Sequence, residues 1–408
     1  MKSRIPLRAL LVATAGAAAF AGAIAARAAE NSPGLAEALA LEPPEFDVGD
    51  IEIRLGGFAG GALFTAHQSG DPAISGGYEN TRASGAAGAN IRAQRTLDNG
   101  MVLGVRSDFL LYRDELSGDN YDNDTVELLY LFAQTGFGRV GIGQQDGAAY
   151  SLALVGPAVD EQVSTENRNI SLFRNPVTGR EFGEFFQQVT AVQSSSNFAK
   201  IDYVSPRLFG IQIGASFTPE TVRTPLPWTG NPRNDPDQQQ NIWEVAASYT
   251  GYFSDVAVGL SAGYARGAMR NGTSSGSDLY DWALGAQFAY MLSDVKLSLG
   301  GAYRDTNAYL LDVENVLDGA KTHALHLSTT VERGPFRIGA EYSNADVSGP
   351  VDYEVTGYET AIGYRINDNL ELTAGWQWYD YKRSAGAFHN GLPTIGMNAG
   401  FLAFSYAL

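Results

Sequence analysis

Residues 279–304, LYDWALGAQFAYMLSDVKLSLGGAYR, alternate with a period of two. Tyr280, Trp282, Leu284, Ala286, Phe288 and Tyr290 form one set, and Asp281, Ala283, Gly285 and Gln287 form the other. After Leu292-Ser293-Asp294 the pattern resumes, with Val295, Leu297, Leu299 and Tyr303 against Lys296, Ser298, Gly300 and Arg304. Successive side chains of a strand point to opposite faces. Each segment therefore predicts a strand with one large apolar face and one small, polar face. The apolar face of such a strand meets either a second sheet or lipid, and in lipid the polar face lines water.

Sixteen extended segments follow from Asp50 onward: 50–67, 82–97, 101–113, 123–137, 138–146, 197–205, 208–218, 241–252, 254–267, 278–291, 294–305, 321–333, 335–346, 353–366, 369–382 and 395–408. The parity persists among them. Phe336, Ile338, Ala340 and Tyr342 oppose Arg337, Gly339 and Glu341, while Leu370, Leu372, Ala374, Trp376 and Trp378 oppose Glu371, Thr373 and Gln377. Connections after even-numbered segments are tight and built from turn formers, such as Asp98-Asn99-Gly100, Leu292-Ser293-Asp294 and Arg333-Gly334-Pro335. Those after odd-numbered segments are longer, polar and rich in Gly, Pro and Asp, as in 219–240 and 306–320. Short turns at one end and long loops at the other mark an all-β, transmembrane antiparallel β-barrel of about 16 strands. The segments also exceed the mean of about 5–6 residues seen in soluble sheets.

Composition narrows the class. The 408 residues would by length suggest two or three domains, but one uninterrupted series of segments argues for one. There is no cysteine, hence no disulfide framework and no thiolate chemistry. No stretch beyond the N-terminus is apolar for the 18 or more residues that a membrane helix needs. Residues 1–28 read as a signal peptide: Lys2, Arg4 and Arg8 form a basic region, Ala9 to Ala25 is small and apolar, and Ala26-Arg27-Ala28 is a cleavage site. Its removal takes four basic residues and moves the formal charge from −17 to about −21. A chain this acidic is a poor partner for nucleic acid and favours cations near its surface. Residues 29–49 form a lead-in, and Pro43-Pro44 separates it from the first strand.

With these features the chain resembles a Gram-negative general porin of the alphaproteobacterial type, over residues 50–408. Val126 to Ala153, VELLYLFAQTGFGRVGIGQQDGAAYSLA, carries the likeness most strongly: a hydrophobic strand, a GFGRV turn, a short fifth strand, then a departure from the wall. The resemblance implies a sixteen-stranded barrel, usually a homotrimer in outer-membrane lipid, with its third loop folded into the lumen. Such barrels usually end in an aromatic residue. Here Leu402, Phe404, Tyr406 and Leu408 keep the alternation, but the last residue is aliphatic.

The insertion at 147–196 is far longer than an ordinary connection. It carries both apolar residues to pack and charges, and the resemblance makes it the constriction loop. Its expected pore-facing acids are Asp160, Glu161, Glu166, Glu181 and Glu184. A basic wall is expected opposite, with Arg54, Arg92, Arg106 and Arg139 as lumen-parity candidates. Arg82, Lys200, Lys296, Arg304, Arg337 and Arg365 share that parity. Segments two to five differ from the rest. Ala86 to Ala89 are small, and Val126 to Phe132 is apolar on both faces except at Glu127, which calls for cover by the loop on one side and a neighbouring subunit on the other.

No catalytic, metal or cofactor constellation is expected. His323 and His326 fall on opposite faces of one strand, and Asn120, Asp122 and Asp124 lack the Gly and terminal Glu of a calcium loop. The expected function is passive diffusion of small hydrophilic solutes and ions across the Gram-negative outer membrane, with mild cation preference. The alternatives are a substrate-specific channel, for which Tyr379, Tyr381 and Phe58 would supply lumen aromatics, a plugged structural or adhesion barrel, and a soluble all-β protein.

Overall fold

A computed structural model of the chain describes residues 43–69, 81–113, 126–160, 163–166, 173, 188–221, 239–269, 278–307, 321–348, 353–383 and 394–408. One antiparallel sheet of seventeen strands contains β1 Glu45–Val48, β2 Ile51–Gln68, β3 Thr81–Thr96, β4 Val102–Arg113, β5 Val126–Thr135, β6 Gly138–Gln144, β7 Ala199–Val204, β8 Ile211–Glu220 and β9 Gln239–Phe253. It continues through β10 Val256–Met269, β11 Leu279–Leu292, β12 Val295–Thr306, β13 Lys321–Arg333, β14 Phe336–Ser348, β15 Tyr353–Arg365, β16 Leu370–Arg383 and β17 Thr394–Ala407. Each strand from β2 to β17 pairs with its neighbours in sequence. The ring closes where β17 pairs with β2, from Met397↔Gln68 to Ala407↔Phe58. The result is a closed sixteen-stranded barrel with no free edge among those strands, the arrangement that satisfies every backbone group in lipid.

The lead-in holds one element the alternation did not predict. Strand β1 pairs with the first residues of β2, Glu45↔Arg54 to Val48↔Ile51, on the edge that β17 leaves open. The Leu408 N–H donates to Gly57 O (2.8 Å), and just beyond it the Leu55 N–H donates to Pro44 O (2.9 Å). The N-terminal segment thus takes up the seam where the C-terminal strand runs out.

Tight hairpins set the register. Three two-residue turns place their first residue in the left-handed region: Ser254 (φ 55°), Ser293 (φ 58°) and Gly334 (φ 56°). Turns of this hand match the twist of the flanking strands. The two faces divide as the parity predicts. On β12, Ser298, Ala302 and Arg304 are buried inward while Leu297 and Leu299 are exposed outward. Outward aromatics pair across strands at both ends of the wall, with ring centroids 5.4 Å apart for Trp282–Tyr303, 5.3 Å for Tyr342–Tyr358 and 5.0 Å for Phe336–Tyr364. These are interfacial girdles. Inside the barrel, Asp281 holds Arg304 through two hydrogen bonds of 2.8 and 2.7 Å, both side chains almost fully buried. Asp281→Ala strands a buried guanidinium, so it is expected to cost about 3–5 kcal/mol in equilibrium unfolding from bilayers. Unfolding that matches the unsubstituted barrel would show the pair to be dispensable.

Candidate functional site

The loop between β6 and β7 lies along the inner wall. Its described residues begin with one helical turn, α1 Ala148–Ser151, against β7 to β10, and 154–164 then lie against β10 to β15. Irregular backbone inside a barrel needs partners for its polar groups, and the wall supplies them. Ala148 N–H donates to Ser216 Oγ (3.2 Å), Ala149 N–H to Glu244 Oε2 (3.0 Å) and Leu154 N–H to Ser261 Oγ (2.9 Å). Farther round, Thr165 N–H and Ser164 Oγ donate to Glu341 Oε2 (3.0 and 2.8 Å), and Arg337 donates to Val159 O (3.1 Å). On the return, the N–H groups of Gln193 and Ser194 both donate to Asp281 Oδ2 (3.2 Å each). Buried Lys200 ends the path by donating to Ser195 Oγ (2.8 Å).

The loop fits because the wall beneath it lacks side chains. Lumen-facing glycines recur on five strands between β8 and β14: Gly214, Gly263, Gly285, Gly300 and Gly339. A Cβ at Gly263 would stand 3.1 Å from the Ala149 Cβ, and one at Gly300 would stand 2.9 Å from Pro157 Cδ. Together they form a trough into which 148–159 beds. Below and beside the loop a cavity of about 910 Å³ remains, lined by Tyr150, Leu154, Pro157, Lys296, Glu332 and Arg337 among others.

Two of the five loop acids expected at the constriction fall among the described residues: Asp160 is buried, and Glu166 has 12% of its side chain exposed. Glu166 accepts from Thr190 N–H (3.0 Å), and its other oxygen lies 3.5 Å from Nδ1 of fully buried His326. Ser164 and Thr190 of the loop hold its N–H and one carboxylate oxygen, and the other oxygen is turned to His326 on the wall. Asp160 is 6% exposed. Glu161, Glu181 and Glu184 lie outside the described residues, as do Asn120, Asp122 and Asp124.

The four basic candidates stand on the wall that the described part of the loop leaves uncovered. Arg54, Arg92 and Arg106 are direct cross-strand neighbours on β2, β3 and β4, and Tyr130 follows on β5. Arg54 pairs with Glu52 (2.5 Å) and with Glu45 of β1 (3.2 Å). Arg106 makes a two-pronged pair with Asp108 (2.9 and 2.7 Å). Arg139 reaches Asp202 only at 3.9 Å. Arg92 has no carboxylate within ion-pair distance among the described residues and lies over the Phe132 ring, 4.9 Å from its centroid. Side-chain exposure is 51% for Arg54 and 41% for Arg106. By contrast Glu244, Asp281, Glu341 and Glu359 on the loop-covered wall are each exposed by 2–5% or less. Of the other lumen-parity bases, Lys200 and Arg304 are buried, while Lys296 and Arg365 are exposed near the turns.

Two expectations change. Among the described residues, guanidinium groups and not the loop lie over the rings on the lumen side of Val126 to Phe132: Arg92 over Phe132, and Arg139 5.8 Å from the Tyr130 centroid. Tyr379 and Tyr381 face inward but are buried, with Phe173 of the loop packed against Tyr379 at 6.1 Å, so they offer solute no aromatic track. Among the described residues no group of three or more His, Cys, Asp or Glu could hold a metal ion. Sequence reasoning missed the glycine trough, whose signal was present as glycines at lumen parity.

A family model described as Gram-negative porin matches residues 13–384. No curated protein matches the chain. Similar solved structures include OmpT of Vibrio cholerae in a trimer form, 13% identical, with a TM-score of 0.53, covering 88% of this chain and 100% of that one. An anion-selective porin from Comamonas acidovorans is 14% identical, with a TM-score of 0.54, covering 88% and 100%. OmpF of Salmonella typhi, in complex with daunomycin, is 14% identical, with a TM-score of 0.54, covering 89% and 100%. At these identities the likeness is one of fold.

The bedded loop is open to a direct test, since the chain has no native cysteine. The double variant A149C/G263C brings two Cβ atoms to 3.1 Å, a few tenths of an ångström short of the separation in a disulfide and within reach of a small shift of the loop. It should cross-link on mild oxidation, while A149C/G56C, with its second cysteine on the uncovered wall, should stay reduced. The reverse pattern would place the loop elsewhere.

Proposed function

The chain belongs to the Gram-negative porin family, whose members are outer-membrane channels, and from that premise we propose that it passes small hydrophilic solutes and ions by passive diffusion. The observation that carries this reading is the division of the lumen. One wall is buried under the described part of the loop, and the wall of β2 to β6 keeps arginines with a third to a half of their side chains exposed. Solutes would cross between loop and arginine wall, sorted by aperture and by charge.

The finer reading is a mild cation preference. It rests on 45 acidic against 28 basic residues in the chain, which draws cations toward both mouths. The arginine row works against it locally and keeps it mild. The acids Glu161, Glu181 and Glu184 and the bases Arg54, Arg92, Arg106 and Arg139 remain the proposed constriction set, while Asp160 and Glu166, packed away from the lumen's water, leave it. Assembly as a homotrimer is supported by small residues on the outward faces of β2 and β3, Gly57, Ala59, Gly61, Gly85, Ala87 and Ala89, which suit close packing in lipid. Delivery through the outer-membrane route would begin with the signal peptide at 1–28. A plugged structural barrel is the second reading, favoured by the apolar cluster inside the barrel that joins Phe173 of the loop to Tyr379, Met397 and Phe401.

The test is conductance of the detergent-purified protein in a planar bilayer under a KCl gradient. Large stepwise openings with a small cation-side reversal potential are expected. Stable insertion without current would shift the assignment to the plugged barrel. In the conducting protein, R92Q/R106Q should raise the cation-to-anion permeability ratio about threefold, on the order of 0.6 kcal/mol of local potential. An unchanged ratio would remove the arginine row from the current path.

A further inference from the structure

The uncovered wall is graded from charge to apolar surface. On β2 and β3 the inward-facing residues read, from the turn upward, Arg54 and Arg92, then Gly56 and Asn90, then Phe58 and Gly88. Leu110 of β4 extends the apolar end beside Gly88. Phe58 lies over Gly88, where a Cβ would stand 2.9 Å from the ring's Cζ, so the ring is held against the wall by the absence of a side chain there. It is nevertheless 40% exposed. That is unusual inside this barrel: the inward-facing Phe64, Tyr130, Phe132, Tyr379, Met397 and Phe401 are all buried. At the other end of the grade, Arg92 is the member of the arginine row that lacks a carboxylate among the described residues. Its Nε is buried with no hydrogen-bond partner. A buried donor left without an acceptor is costly, and a guanidinium fork is shaped for a carboxylate. Between the two ends, the Asn90 amide makes no hydrogen bond among the described residues and stands beside Gly56.

We propose that this wall is a binding subsite for elongated amphiphilic carboxylates, with the carboxylate on Arg92, the chain running past Asn90 and the apolar end on Phe58 and Leu110. Four residues of a strand separate the two ends, about 13 Å at ~3.3 Å per residue. That span excludes acetate and suits an arylalkanoate or a medium-chain alkanoate. The inference rests on the channel reading and narrows its solute class. Weak attraction on the way through is what such a pore needs: enough to gather the solute and too little to hold it.

The experiment is single-channel recording with 4-phenylbutanoate added, and acetate at equal concentration as the charge-only control. Phenylbutanoate should produce brief blockades that acetate does not. F58A should shorten the phenylbutanoate dwell time about three- to tenfold, the scale of losing one aromatic contact, and F58W should lengthen it. R92Q should lower the blockade frequency while R92K, which keeps the charge but loses the fork, falls between. A channel that conducts but shows blockades indifferent to Phe58 and Arg92, or none at all, overturns the subsite and leaves the diffusion pore standing. A barrel that inserts without conducting overturns the channel reading itself.

Discussion

Everything inside this barrel follows from one requirement: buried backbone polar groups must find partners. The wall meets it by closure, each strand from β2 to β17 bonded on both sides. The inward loop has no such ladder. Its N–H groups turn instead to carboxylates and hydroxyls on the wall, with Ala149 on Glu244, Thr165 on Glu341, and Gln193 and Ser194 on Asp281. Acidic side chains are therefore recruited as acceptors for loop backbone, and recruitment buries them. Arginine carries donors only and cannot serve a stranded N–H. On the wall that the described part of the loop leaves uncovered, arginines stay partly exposed. Hydrogen-bond accounting thus sorts the lumen: the acids under the loop are buried as acceptors for its N–H groups, the bases there serve its carbonyls or those acids, and the arginines of the other wall stay partly exposed.

The strand framework was legible because closure in lipid imposes a strict period of two, and a slip of one residue would turn a whole face outward. All sixteen segments are strands, and the pair His323 and His326 does divide between faces as spacing requires. The faces of β11, β12, β14 and β16 likewise hold residue by residue. What period two does not encode is which inward residues see water. Asp160 and Tyr379 share inward placement with Arg106, yet the first two are buried and the last is exposed. That distinction depends on where a fifty-residue insertion lies down. Strand β1 escaped notice for a different reason: four residues, Glu45 to Val48, are too few to establish a period.

The loop's resting place was nevertheless written in the chain, in glycines and not in charges. Along β8 to β15 the inward positions are repeatedly glycine or small, and the loop's Ala149, Leu154, Pro157 and Val159 occupy the space so cleared. Along β2 to β6 the corresponding positions carry Arg54, Phe58, Arg92, Arg106, Tyr130, Phe132 and Arg139. A loop laid on that wall would collide with large side chains and would leave arginines facing its carbonyls and its N–H groups without acceptors. Steric relief and hydrogen-bond supply point to the same side. The aperture is then what remains on the opposite side, so its charge and the exposed ring of Phe58 on β2 are consequences of where glycine was placed six to twelve strands later in sequence.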